Sequence, residues 1–251
     1  MPIEASGVRL STLDTERFGV VTARADGISA RDLPAVLEFC DEHGVELLIA
    51  RCDVEDPAAA HALESAGCLL MDTLVYYERD LVASPLRHSI SSLIAEIGPG
   101  DADQVESIAR VCFRNYLGHY HADQRLDQGA CTEVYASWAR STCDAVAPGS
   151  FVLVTGEPGA RTAFSAFRRN SRGEGELVLG AVVPEARGNG LYRQLTLAGM
   201  SRLQESGANR FVTSTHLGNW GAQVTWTAAG LRPARAFQTF HRWFERAYRP
   251  R

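Results

Sequence analysis

The chain has 251 residues, ample for one large domain or two small ones, with 45% hydrophobic and 22% charged residues. A net charge of −5 argues against a nonspecific nucleic-acid binder, which needs a broad basic surface, but not against a small anion held by local arginines. No run approaches the ~20 apolar residues of a membrane span, and the first eighteen residues lack the basic-then-apolar pattern of a secretory leader. The expectation is a cytoplasmic α/β protein with no membrane and no nucleic-acid partner.

In chain order, residues 17–26 read as a strand. A helix over 31–44 follows, with Leu33, Val36, Leu37 and Cys40 at helical spacing and Gly44 as its stop. Residues 45–52 are a short apolar strand. Residues 56–67 are a second helix, with Asp56 as N-cap, Pro57 at its first position and Gly67 past its end. A long strand covers 68–81. Ser84 and Pro85 then mark a connector, so a domain boundary is expected at 86/87: residues 1–86 as a smaller subdomain, residues 87–251 as the main domain. The second part opens with a strand over 89–98. Asp101 is an expected N-cap for a helix carrying Val105, Ile108, Ala109 and Cys112, and another helix covers 129–141. Three strands follow at 151–156, 162–170 and 176–183, with turns at Glu157-Pro-Gly159 and Ser171-Arg-Gly173. A helix beginning near Leu191, a strand at 210–217, a helix capped by Asn219 and a final strand near 233–244 complete the chain. Cys40, Cys52, Cys68, Cys112, Cys131 and Cys143 show no CxxC pair or Cys/His cluster, so free thiols are expected and no metal.

The run 178–195, VLGAVVPEARGNGLYRQL, carries the most chemistry. A strand ends at Pro184, a loop holds Arg187, Gly188 and Gly190, and a helix with Leu191, Leu195 and Ala198 on one stripe begins. Glycines let a backbone approach an anion at positive φ. The free N–H groups and dipole of a helix start favour phosphate. The glycines are too close for a Walker loop and too few for a dinucleotide fingerprint. Pro184-Glu-Ala-Arg187-Gly188-Asn189-Gly190 instead resembles the acyl-CoA pyrophosphate loop of the GNAT acetyltransferases.

That resemblance implies a GNAT fold over roughly residues 89–246: a mixed, mostly antiparallel sheet flanked by helices, with residues 1–86 as a truncated GNAT-like half lacking a phosphate loop. It implies acetyl-CoA as cosubstrate and direct acetyl transfer to an amine. The cofactor would be held by Arg187, Gly188, Asn189, Gly190 and Leu191, with backbone donors from Ala181, Val182 and Val183 at the thioester oxygen. Residues 217–233 resemble the family run Asn-x-x-Ala-x-x-x-Tyr-x-x-x-Gly-Phe, with Asn219, Ala222 and Gly230 in place. Asn219 either caps its helix, meets the pantetheine arm, or both. The family's acidic Tyr position is Trp226 here. An indole N–H donates a hydrogen bond but no proton at neutral pH, so either the thiolate leaves with water or Thr225, Tyr192 or His216 serves as the acid, and Trp226 is otherwise a core aromatic.

Residues 113–141, dense in Tyr, His, Arg and Asp, lie where GNATs bind their acceptor. With Tyr135 to Trp138, the 14–19 run and Met71-Asp72-Thr73-Leu74, they resemble the dTDP-fucosamine acetyltransferases. That implies a dTDP-linked deoxyamino sugar as acceptor. The acceptor candidates are Arg114, Tyr120, His121, Asp123 and Arg125. Among Tyr120, His121 and Asp123, His121 is the base whose ordinary pKa lies near neutrality. Arg168, Arg169 and Arg172 read as a solvated hairpin end or as contacts to acceptor or CoA phosphate. A homodimer through an exposed strand of the smaller half is a further expectation. The competing readings are a GNAT for another amine (antibiotic, polyamine or protein N-terminus) and an acyl-CoA-binding module without turnover.

Overall fold

The computed structural model describes residues 7–86, 92–98, 100–144 and 148–245. They divide into two compact units: Met1–Leu74 with Leu117–Ala130 and Arg235–Arg251, and Val75–Tyr116 with Cys131–Ala234. The sequence suggested a single boundary at 86/87, whereas each compact unit is assembled from separated segments.

In the first unit β1 (Gly7–Leu10), β2 (Thr22–Asp26), β3 (Leu47–Asp53) and β10 (Arg232–Trp243) lie side by side in that order. β1 pairs antiparallel with β2, β2 parallel with β3, and β3 antiparallel with β10. The expected strand at 17–26 is partly a helix. Ser11 Oγ accepts from Asp14 N at 3.4 Å, which starts α1 (Thr12–Phe18), and Gly19 ends it at φ 68°. The cap and the left-handed stop give residues 17 and 18 to the helix and leave the strand to begin at Thr22. α2 (Leu33–Glu42) buries Leu33, Val36 and Cys40. In α3 (Pro57–Ser65), Asp56 accepts from Ala59 N at 3.0 Å and Pro57 takes the first position, as the sequence indicates. These helices cover one core built from Ala23, Leu48, Ala50, Cys52, Leu63 and Phe240, with each large side chain contributing about 1.5–3 kcal/mol on burial.

In the second unit, which takes β4 (Leu69–Asp80) from Val75 on, the strand order is β4, β9 (Arg210–His216), β8 (Gly175–Val182), β7 (Ala160–Arg169), β6 (Phe151–Glu157) and β5 (Ile94–Glu96). β5 to β8 pair antiparallel and β8 pairs parallel with β9. β5 covers only Ile94–Glu96 of the strand expected at 89–98: residues 92 and 93 are a turn, 97 and 98 are outside the strand, and 89–91 lie outside the described residues. Asp101 is not the N-cap of α4 (Asp101–Phe113). Gly100 holds that position at φ 85°, and the buried Asp101 carboxylate meets Arg161 at 2.9 Å and accepts from Gly98 N at 2.8 Å. An ion pair with a neighbouring strand has claimed the side chain that local rules assigned to capping. α6 (Gln128–Asp144) follows a four-residue helix, α5 (His119–Ala122), that the sequence did not announce.

α7 (Leu191–Glu205) buries Leu195 and Ala198 of its expected stripe, while Leu191 is half-buried. It lies close against β7: a Cβ on Gly199 would fall 2.1 Å from Phe167 Cζ. Phe167, Phe164, Phe211, Leu195, Met200 and Leu203 form the buried centre of this unit. All six cysteines are free, as expected.

Candidate functional site

The parallel pairing of β8 with β9 stops early. The register runs Gly175–Phe211, Glu176–Val212 and Leu177–Thr213. Beyond that rung β8 continues through Val182 and β9 through His216 without pairing. A cavity of about 60 Å³ lies between them, walled by Leu177–Gly180 on one side and Thr213–Thr215 on the other. Val183 N–H donates to Thr162 O on β7 at 3.0 Å. Because N–H groups alternate sides along a strand, Val182 and Gly180 turn theirs toward the gap. Ala181, Val182 and Val183 were the expected donors; by the same alternation Ala181 and Val183 face β7, and Gly180 joins Val182 on the open edge.

At the end of β8 the chain turns through Pro184–Ala186, a single 3-10 turn. Arg187 Nε donates back to Val182 O at 3.2 Å, and Asn189 Nδ2 to Ala186 O at 3.2 Å. Gly188 stands at φ 82° and Gly190 at φ 69°, and a Cβ on either would meet nothing within 4 Å. The glycines are required by backbone conformation and not by crowding. Gly190 is the N-cap of α7 and supplies no side-chain cap, so the first-turn amides of Leu191 and Tyr192 face outward from an exposed loop. Beneath the loop, Cys112 of α4 donates its thiol to Val182 O at 3.3 Å. Burial raises that thiol's pKa, against the opposing pull of Arg187. Sequence distance hid this neighbour.

The far wall of the cavity comes from α8 (Trp220–Ala228) and the end of α4. Asn219 Oδ1 accepts from Ala222 N at 3.3 Å and its Nδ2 donates to Thr215 Oγ1 at 2.9 Å. Asn219 therefore caps α8, as expected, and also ties the helix to β9. Trp226 is 2% exposed and lines the cavity, its indole buried beside the Tyr192 phenol. Tyr192, another wall residue, lies 6.5 Å from it ring to ring, and burial raises the Tyr192 phenol above its ordinary value. Tyr116, which the sequence did not single out, lines the same cavity with its hydroxyl 3.2 Å from Thr215 Oγ1. Its ring packs edge-on to buried His216 at 4.8 Å. Thr225 spends its hydroxyl on Gly221 O.

An interrupted parallel pair, a glycine turn and an uncapped helix start together make a slot for an extended ligand that carries phosphate. Solved structures share this architecture. A GCN5-related N-acetyltransferase from Sphaerobacter thermophilus superposes with a TM-score of 0.66 at 12% identity, over 95% of this chain and 76% of that one. One from Kribbella flavida gives 0.64 at 15% identity, over 95% and 88%. A tandem GNAT protein of the clavulanic acid biosynthesis pathway gives 0.60 at 16% identity, over 97% and 80%. The fold is the GNAT fold. No protein-family model and no curated protein matches the sequence.

Within the GNAT fold the acceptor candidates divide. Arg114 is exposed at the C-cap of α4 in the second unit. Tyr120, His121, Asp123 and Arg125 belong to the first. There Tyr120 donates to Asp14 at 2.7 Å and receives a hydrogen bond from Arg24. Burial raises the Tyr120 phenol, and despite burial the Arg24, Ser11 and Tyr120 contacts hold Asp14 low. Asp123 is buried and accepts from His241 Nδ1 at 2.7 Å and Trp243 Nε1 at 2.8 Å. His121 is buried, which lowers its pKa and keeps the imidazole neutral. Arg125 lies exposed over the Trp243 ring at 4.4 Å. Tyr135 is stacked on Phe113 at 4.7 Å in the second unit. Arg168 pairs with Glu176 at 2.8 Å and Arg169 donates to Ser206 O and Gly173 O, so these two are spent on their own turn and neighbours, while Arg172 is exposed.

Proposed function

We propose that this chain is an acetyl-CoA-dependent N-acetyltransferase that transfers the acetyl group directly to an amine, with a dTDP-linked deoxyamino sugar as acceptor. The observation that carries the reading is the gap beyond the Leu177–Thr213 rung, which ends at the uncapped start of α7. Acetyl-CoA fits both parts. Its pyrophosphate meets the amides of residues 188–192, and its pantetheine amides pair with the open edge of β8. The N–H groups of Gly180 and Val182 then point toward the thioester carbonyl, where negative charge develops as the amine attacks. The amine nitrogen forms its bond to the carbonyl carbon, the C–S bond breaks, and CoA leaves as thiolate.

Asn219 acts as a positioning residue, holding α8 against Thr215. Trp226 offers its buried indole N–H to the sulfur as a hydrogen bond, and the proton shed by the amine nitrogen reaches the thiolate through water. Arg114, Tyr120, His121, Asp123 and Arg125 are proposed for the acceptor, on the strength of the resemblance of residues 113–141. The partners are small molecules. β1, at the edge of its sheet, is the strand available for pairing with a second copy. No described helix is long and apolar enough to cross a membrane.

The wall residue Trp226 also favours a second reading, an acyl-CoA-binding module without turnover. Calorimetric titration with acetyl-CoA, followed by thiol release on adding dTDP-4-amino-4,6-dideoxygalactose, separates them. Micromolar binding with release supports the proposal. Binding without release, from this sugar and from a panel of other amines, supports the module. No binding overturns both.

A further inference from the structure

The gap between β8 and β9 has a closed end. Its last paired rung, Leu177–Thr213, is buried, and Thr213 Oγ1 donates to Leu177 O at 3.1 Å, so a side chain clamps the strands where the ladder stops. In the function proposed above, a pantetheine arm entering from the loop meets Val182 first and Gly180 next, the two residues whose N–H groups face the open edge. With the thioester carbonyl at Gly180 N–H, the acyl carbons have the closed end as their remaining space.

That space is small. The cavity holds about 60 Å³, and at about 10–15 Å³ for each water-sized group this is room for roughly four to six of them. The sulfur, carbonyl carbon, carbonyl oxygen and methyl group of an acetyl thioester take the lower figure. A butanoyl thioester takes the upper one, and a hexanoyl chain overfills the cavity. The walls are braced from behind by other residues of the second unit. Trp226 packs against the Tyr77 ring at 5.6 Å and the Tyr192 ring at 6.5 Å. Tyr192 lies close over β8: a Cβ on Gly180 would fall 2.9 Å from Tyr192 Cε2 and 2.8 Å from Ser165 Oγ. Phe113, at the end of α4, stacks on Tyr135 at 4.7 Å, and Tyr116 meets both rings edge-on at 5.2 Å. Close-packed aromatic walls of this kind do not widen without strain. The residues lining the cavity include no Lys, Arg or His. An acyl group that ends in a carboxylate would therefore be buried there without a countercharge.

We propose that this cavity selects the acyl group: it takes short uncharged chains, from acetyl to butanoyl, and Trp226 and Phe113 are the side chains that exclude longer ones. The chain-length limit rests on the acetyl-CoA reading above but does not depend on turnover, since it is set by binding.

Calorimetric titration of the full chain with CoA and with acetyl-, butanoyl-, hexanoyl- and succinyl-CoA tests it. Hexanoyl-CoA should bind about tenfold or more weaker than acetyl-CoA, because overpacking outweighs what the longer chain gains on leaving water. An open apolar slot does the reverse, tightening binding about fourfold for each CH₂ buried. A hexanoyl-CoA affinity equal to or above that of acetyl-CoA overturns the limit. Trp226→Leu and Phe113→Leu each remove part of the wall. In at least one of them the hexanoyl penalty should shrink about tenfold, with no gain in acetyl-CoA affinity. A penalty that persists in both, with circular dichroism showing both folded, takes the limit away from these side chains. Succinyl-CoA has as many heavy atoms in its acyl group as hexanoyl-CoA but ends in a carboxylate. It should stay weak in the widened variant, and recovery of both thioesters there overturns the requirement for an uncharged chain. The wild-type series decides the limit even where neither variant folds. Failure of CoA and every thioester to bind defeats the function proposed above, and the limit with it. Binding throughout without the hexanoyl penalty defeats the limit alone.

Discussion

Each unit contains a strand, a helix and a second strand parallel to the first: β2-α2-β3 and β8-α7-β9. In the first, the five residues Thr22–Asp26 all pair, from Thr22–Leu47 to Asp26–Arg51, so the two strands are zipped to the end of β2. In the second, pairing ends after three rungs while both strands run on. The helix starts differ as well. α2 begins with Asp32, whose carboxylate accepts from Ser29 N and Oγ and puts negative charge where a phosphate would have to sit. α7 begins at Gly190, with no side chain in the way. The same motif is therefore closed in one place and open in the other, where the proposed function puts acetyl-CoA. The difference is an unpaired edge and a bare helix start.

Breaking that difference at the loop should have the largest effect. The double variant Gly188→Val, Gly190→Val forces two β-branched residues to positive φ, at about 1–3 kcal/mol of strain each. Calorimetry should show acetyl-CoA affinity falling about 100-fold or more, with little change in the fold's circular dichroism. Retained affinity would mean that the gap alone holds the ligand. Next comes Gly199→Ala, which drives a methyl into Phe167 and should cost about 1–3 kcal/mol in urea unfolding.

Helix caps sharpen the comparison further. Asn219→Ala and Asp56→Ala should each cost about 1 kcal/mol of stability, since each removes one N-cap. Asn219→Ala should also weaken acetyl-CoA binding, because it frees α8 from Thr215 on the gap; Asp56→Ala should leave binding alone. Equal binding in both would confine Asn219 to capping.

The smallest effect at neutral pH is electrostatic. The Asp101 carboxyl is held below 3.8, first by Arg161, and Asp14 is also held below 3.8 by Arg24, Ser11 and Tyr120 against its burial. A depressed carboxyl contributes stability that is present above its unfolded pKa and is lost as pH falls through the folded one. Thermal unfolding should therefore be flat in this respect above pH 5 and weaken below 3.8. In Asp101→Asn and Asp14→Asn the acid-dependent loss should shrink; an unchanged acid profile would remove these pairs as its source.

Much of this chain was written in short stretches of sequence. Pro57, Asp56 and Gly67 bounded one helix and Asn219 began another, because capping and left-handed stops act within a few residues. The glycine loop was legible for the same reason: φ at Gly188 and Gly190 is a local demand. Local rules failed where a distant partner claimed a side chain, as Arg161 claimed Asp101, or where a neighbouring cap recast residues 17 and 18 as helix. Only the tertiary structure decided where the β8–β9 ladder stops, since register depends on packing across the sheet. Only it placed Cys112 under the loop and Tyr116 in the gap. Most of all, the Thr213 hydroxyl closes the gap on Leu177 O, 36 positions away. Hydrogen bonds act over about 3 Å of space and not along the chain, so such a closure has no local signature to read.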